Sequence, residues 1–195
     1  MEHLERECPS QALSRHFPSL PEPANLGAVF SRFPKGAKAL LELHDSLLRG
    51  DSSLSIAERE LLAAHVSNLN ACRYCHGAHA SIAESYGISP LLLKSLQENS
   101  DTAELPEKFK PIIAYVTKLT LTPSKMVEED SKVVYDAGWD EAALYDAVTV
   151  CALFNFMNRV VEGTGCLPKP SPDKKQAGKT LESYLEWGKG IGFID

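Results

Sequence analysis

Apolar positions recur along the chain at helical spacing from about residue 26 onward, and no stretch alternates as a strand would. Residues 35–48 carry Leu40, Leu41, Leu43, Leu47 and Leu48. "LSIAERELLAAHVSNL" opens at Ser55 with Glu58 three residues on, the signature of a capping box. A second helix of this hairpin is expected over 72–86, stopping at Gly87. Ser89 and Pro90 mark a further helix start. Helices are also expected over 107–121 and 124–137, the latter ending at Gly138. Asp140 begins a long helix to about 162 whose middle is apolar on nearly all sides, which predicts a central, buried element. The pattern predicts an all-α fold of roughly eight helices. An extended arm over 1–25 precedes a helical domain over 26–166, and a Pro/Lys linker with a tail follows over 167–195.

Composition narrows the class. The 195 residues suffice for one domain with a sizeable core. Hydrophobic content is 44%, charged content 24% and net charge -6, with a pI near 5.5. Basic residues are scattered rather than striped, so no nucleic-acid partner is expected. No apolar run is long enough to span a membrane, and the polar start lacks the apolar core of a secretory signal. A cytoplasmic protein without a membrane partner is therefore expected.

Five cysteines include one close pair, in "NACRYCHGAHA". Cys72 and Cys75 form C-x-x-C, with His76 directly after and His79 four residues beyond Cys75. Three chemistries use such a pattern: a c-type haem with His76 and a methionine such as Met126 or Met157 as axial ligands, half of a zinc site, or a redox dithiol. At about 100° per residue, Cys75, His79, Ile82 and Tyr86 share one face of the helix, and Cys72 lies close to it. His76 falls on the flank. No second C-x-x-C or H-x-x-x-H completes a zinc set. These considerations favour the redox reading, and no metal or cofactor is expected.

The preceding helix supplies a carboxylate. Leu61, Leu62, His65, Val66 and Leu69 form its apolar stripe, while Glu60 shares a second face with Ala63, Ala64 and Ser67. Taken alone, Glu60 reads as an ordinary solvated residue and His79 as a core histidine. In an antiparallel hairpin turning near residues 70–71, facing positions sum to about 140, which sets Glu60 level with His79. A carboxylate can orient an imidazole, the imidazole can deprotonate a thiol, and a second thiol can close a disulfide. Proximity to His79 favours Cys75 as the attacking thiol, whereas a helix N-terminus favours Cys72. Cys151, in the most apolar helix, reads as an inert packed thiol. Cys8 and Cys166 lie in loose segments. Asn155, Asn158 and Arg159 interrupt the long helix, as partners for buried groups, for a neighbouring subunit or for the pocket.

The spacing of Glu60, Cys72, Cys75 and His79 (Glu, eleven residues, C-x-x-C, three residues, His) resembles that of the alkylhydroperoxidase AhpD family, related to the carboxymuconolactone decarboxylases. "DAVTVCALFNFMNRV" resembles the long helix of the family's peroxidase-related branch. The resemblance implies an AhpD-like helical fold and a homo-oligomer, a trimer or hexamer. It implies reduction of hydroperoxides by Cys75 with Cys72 as resolving thiol and Glu60 and His79 as proton relay, supplied by a thiol or lipoyl-type electron donor. Decarboxylase relatives lack the dithiol. The prototype has a histidine immediately before its second cysteine, where this chain has Tyr74. A second class of function also fits the residues: a non-catalytic helical oligomer whose C-x-x-C is structural, regulatory or zinc-binding.

Overall fold

The computed structural model describes residues 17–100, 103–168 and 180–194. Most of the expected 1–25 arm, Cys8 and the greater part of the Pro/Lys linker lie outside the described residues. Among the described residues the elements are α1 (Leu26–Arg32), α2 (Ala37–Arg49), α3 (Ile56–Leu69), α4 (Arg73–Ser85), α5 (Pro90–Glu98), α6 (Lys110–Leu121), α7 (Glu128–Asp136), α8 (Glu141–Thr164) and α9 (Tyr184–Gly190). A short 3-10 turn, Pro123–Lys125, separates α6 from α7. The described residues form an all-α fold. The one extended feature described is an isolated bridge between Ala24 and Cys166. Among the described residues no helix is long and apolar enough to cross a membrane.

The helix ends follow local chemistry. Ser55 and Glu58 form the reciprocal capping box of α3. Ser89 caps α5 with Pro90 in its first turn, and Asp140 Oδ1 accepts from Ala143 N at 2.7 Å. Gly138 ends the α7 segment at φ +88°, in the left-handed region open to a residue without Cβ.

The centre of the molecule is α3, not α8. Every residue of α3 from Arg59 to Ser67 is buried, because its second face carries small Ala63, Ala64 and Ser67 and lets neighbours pack closely. α4, α8, α6, α2 and α5 all contact it. The expectation of a fully buried α8 is corrected: one face packs inward through Val150, Phe154, Met157 and Val161, while Tyr145 and Phe156 are exposed in the single chain. Apolar composition marked the helix but not how many of its sides have neighbours.

The end of the chain returns to the core. Asp45 on α2 accepts hydrogen bonds from Ser183 Oγ at 2.7 Å and from the backbone N–H groups of Tyr184 and Leu185. Gly188 lies so close to Leu41 that a Cβ there would meet its methyl at 2.4 Å. Cys166 is likewise not loose. It is buried beside Ala24, and the Leu167 N–H donates to the Ala24 carbonyl at 3.1 Å.

Candidate active site

The dithiol sits at the tight joint between α3 and α4. Asn70 ends α3, and Ala71 takes φ +55° to turn the chain. The Cys72 N–H then donates to the Ser67 carbonyl at 2.9 Å. Cys72 is the residue preceding α4, and Cys75 is its third helical residue. The N-terminal partial charge of α4 therefore acts on Cys75 from within its first turn, so the helix end and the histidine both favour the same thiol. Both sulfurs are buried, and both cysteines are free thiols.

Glu60 and His79 meet across the hairpin. His79 Nδ1 lies 2.7 Å from Glu60 Oε2. Glu60 is wholly buried, contrary to the solvated reading of the residue taken alone. Burial pushes its carboxyl up, but the adjoining His79, Arg49 and Tyr184 outweigh this and hold it below the usual carboxylate value. An ionised carboxylate only accepts, so His79 Nδ1 carries the hydrogen and Nε2 is left to accept a proton. The imidazole is held edge-on against the Phe154 ring, with centroids 4.4 Å apart.

The two thiols are unlike. The Cys75 thiol is lowered to about 7, chiefly by a hydrogen bond from Cys72, against burial and with help from His79 and Asn158. The Cys72 thiol is pushed up by the same hydrogen bond and by burial. The surroundings thus favour the thiolate form at Cys75 over Cys72.

Several contributors were not legible in the motif. Arg49 Nη1 lies 2.7 Å from Glu60 Oε1, and Tyr184 Oη donates to the same oxygen at 2.7 Å. Asn158 Nδ2 donates to Ser67 Oγ at 3.0 Å, and Asn70 Nδ2 donates to Asn158 Oδ1 at 2.9 Å. Of the three polar residues singled out on the long helix, Asn158 thus reaches the dithiol joint. Asn155 accepts from Asn70 and Arg159, and Arg159 is exposed. The polar break in an apolar helix was the visible signal for Asn158. Arg49 and Tyr184 carried none.

His76 Nδ1 donates to the Ala64 carbonyl at 3.0 Å. It lines a small cavity of about 10 Å³ with Leu61, His65 and Leu93, whose walls include none of Glu60, Cys72, Cys75 or His79. Tyr74 is half-buried, and its phenol is pushed up by that burial. Cys151 is buried with its sulfur 3.3 Å from Thr120 Oγ1. Among the described residues, no group of three or more His, Cys, Asp or Glu side chains is disposed to hold a metal ion.

The helical hairpin that joins the buried dithiol to the glutamate–histidine pair lies within a segment that resembles known proteins. The carboxymuconolactone decarboxylase family model matches residues 34–98, which include Arg49, Glu60, both cysteines and His79. The match spans about a third of the chain, and over this segment the chain is similar to the carboxymuconolactone decarboxylase family. The uncharacterized protein YdfG of Bacillus subtilis (strain 168) is 25% identical over 127 residues, covering 65% of this chain and 85% of that protein. An uncharacterized peroxidase-related protein from Silicibacter sp. TM1040 shares the fold at TM-score 0.71 and 24% identity, covering 87% of this chain and 94% of its own. A second peroxidase-related protein, an alkylhydroperoxidase AhpD core from Ralstonia eutropha JMP134, gives TM-score 0.72 and 23% identity over 83% and 95% of the two chains.

Proposed function

We propose that the protein is a thiol-dependent peroxidase that reduces hydroperoxides through Cys75 and Cys72. The observation that carries this reading is the unequal dithiol beside a buried base: a Cys75 thiol lowered to about 7, one helical turn from a His79 whose Nδ1 is fixed on Glu60. The Cys75 sulfur attacks one peroxide oxygen, an S–O bond forms and the O–O bond breaks. The departing alkoxide takes a proton, supplied by His79 after it has accepted that of Cys75. Cys72 then gives up its proton and attacks the Cys75 sulfenic sulfur, releasing water and closing a disulfide. An external dithiol, of thiol or lipoyl type, returns both sulfurs to thiols. The peroxidase-related proteins that share the fold point the same way.

Consumption of a panel of hydroperoxides, each paired with dithiol donors, tests the reading. A dimedone-type reagent should trap a sulfenic acid on Cys75 in Cys72→Ser, and Cys75→Ser should lose turnover. Sulfenic acid forming on Cys72 in Cys75→Ser at the parent rate would reverse the roles. Absence of peroxide consumption with every donor would favour a structural or regulatory dithiol.

A further inference from the structure

The Glu60 carboxylate takes three donors from three separate elements. His79 Nδ1 from α4 occupies Oε2, while Arg49 Nη1 from α2 and Tyr184 Oη from the start of α9 share Oε1. Tyr184 lies 124 residues from Glu60 in sequence and outside the segment matched by the family model. Its hydroxyl also stands 3.3 Å from His79 Nδ1. Burial, reinforced by the charge of Glu60, raises the phenol well above its ordinary value, so it stays a neutral donor.

We infer that Tyr184 is a positioning residue of this site, acting on His79 through Glu60, and that the closing segment 180–194 is a working part of the site. Ring packing accounts for the aromatic body: the ring lies 4.9 Å from the Arg49 guanidinium and 5.2 Å from the His44 ring. A phenylalanine would keep those contacts. It would not supply the hydroxyl, which a buried position tolerates only when bonded.

The segment is held at several points that themselves converge on the site. Asp45 accepts from Ser183 Oγ and the Tyr184 and Leu185 N–H groups. The Leu181 carbonyl accepts from Arg49 Nε at 2.7 Å and from Tyr86 Oη at 2.9 Å. Arg49 thus grips both the carboxylate and the segment that delivers the phenol. Phe193 covers Gly27, where any Cβ would overlap its ring.

The consequence for chemistry has a definite sign. A carboxylate shared among Arg49, Tyr184 and His79 is a weaker acceptor toward each. Loss of the Tyr184 hydroxyl leaves more of its charge for His79. The imidazolium becomes more stable, the Cys75 thiolate forms more readily, and the imidazolium yields its proton to a leaving alkoxide less readily.

The test is the full chain carrying Tyr184→Phe, with the pH dependence of Cys75 alkylation by iodoacetamide read by peptide mapping. The midpoint should move below that of the unaltered protein by about half a unit, a fraction of what one hydrogen bond to a charged group can supply. Asp45→Ala keeps the phenol but frees its anchor, and should move the midpoint the same way. The role in turnover rests on the peroxidase reading: there, kcat should fall about three- to tenfold with the donor KM unchanged, as for a proton-transfer defect. An alkylation profile that coincides with the unaltered protein's, or moves upward, in a Tyr184→Phe chain of unchanged circular dichroism overturns the inference. If Tyr184→Phe does not fold, an unmoved midpoint in Asp45→Ala does the same. A downward shift without peroxide turnover in any form supports the inference and defeats the peroxidase reading instead.

Discussion

At the scale of the residue, the site depends on what each side chain does to the charge of its neighbour. The largest influence on Cys75 is the hydrogen bond from Cys72, ahead of the contribution of His79. Cys72→Ser and Cys72→Ala should therefore differ. Serine keeps a donor and should leave the Cys75 midpoint near its parent value. Alanine removes the donor and should raise the midpoint by about one unit, toward that of a free thiol. Glu60→Gln should raise it too, because a neutral amide no longer stabilises the imidazolium. Alkylation rates from pH 5 to 9 measure all three, and an alanine variant titrating with the parent would show that the dithiol hydrogen bond is not what holds the thiolate.

At the scale of the element, α8 braces the turn end of the α3–α4 hairpin. Asn158 bonds Ser67 and receives Asn70, tying the last turn of α3 to the long helix across 91 and 88 positions of sequence. Asn158→Leu removes one partner from each, leaving Ser67 Oγ its bond to the Ala63 carbonyl and Asn70 Nδ2 its bond to Asn155. It should cost about 1–3 kcal/mol in urea unfolding and also raise the Cys75 midpoint, since Asn158 lowers that thiol. Stability loss with an unmoved midpoint would confine Asn158 to a structural part. The helices and their caps were legible because capping boxes, turn glycines and 3.6-residue spacing are local signals, as at Ser55, Ser89 and Gly138. The facing of Glu60 and His79 was legible for a related reason: a short hairpin turn fixes the register. Arg49 and Tyr184 were not. Nothing within one helix tells an arginine at its last turn that its partner lies on the next helix, or a tyrosine in a short tail that it fills a space beside Glu60. Those contacts exist only after the chain end has docked on α2. The burial of α3 from Arg59 to Ser67 was hidden for the same reason, since a polar residue on a small-residue face looks solvated until its partners are in place.

At the scale of the whole molecule, two neutral histidines sit at different junctions of the core. His44 joins α2 to α8 and α9, with its Nδ1–H on the Leu40 carbonyl at 2.7 Å and its ring against Phe154 and Tyr184. His65 joins α3 to α6 through Nε2 and Thr117 Oγ1, 2.7 Å apart. Thr117 spends its own hydrogen on the Ile113 carbonyl, so His65 Nε2 is the donor, and buried Nδ1 has no hydrogen-bond partner among the described residues. Burial lowers each histidine to about 4. In the unfolded chain each titrates near 6.5. Between those values the unfolded chain binds more protons than the folded one, so stability falls as pH drops through this window and is fully present above it. Each histidine accounts for a loss of about 3 kcal/mol by this linkage. Glu60, held below its ordinary value, adds a further loss only at lower pH, as it is protonated. Urea midpoints should therefore decline steadily from about pH 6.5 to 4, before carboxylates begin to dominate. His65→Gln should remove about half of the slope in that window, because glutamine has no proton to gain. A midpoint flat from pH 7 to 5, or a slope untouched by His65→Gln, would mean that these rings take up protons in the folded protein without disturbing the junctions they occupy.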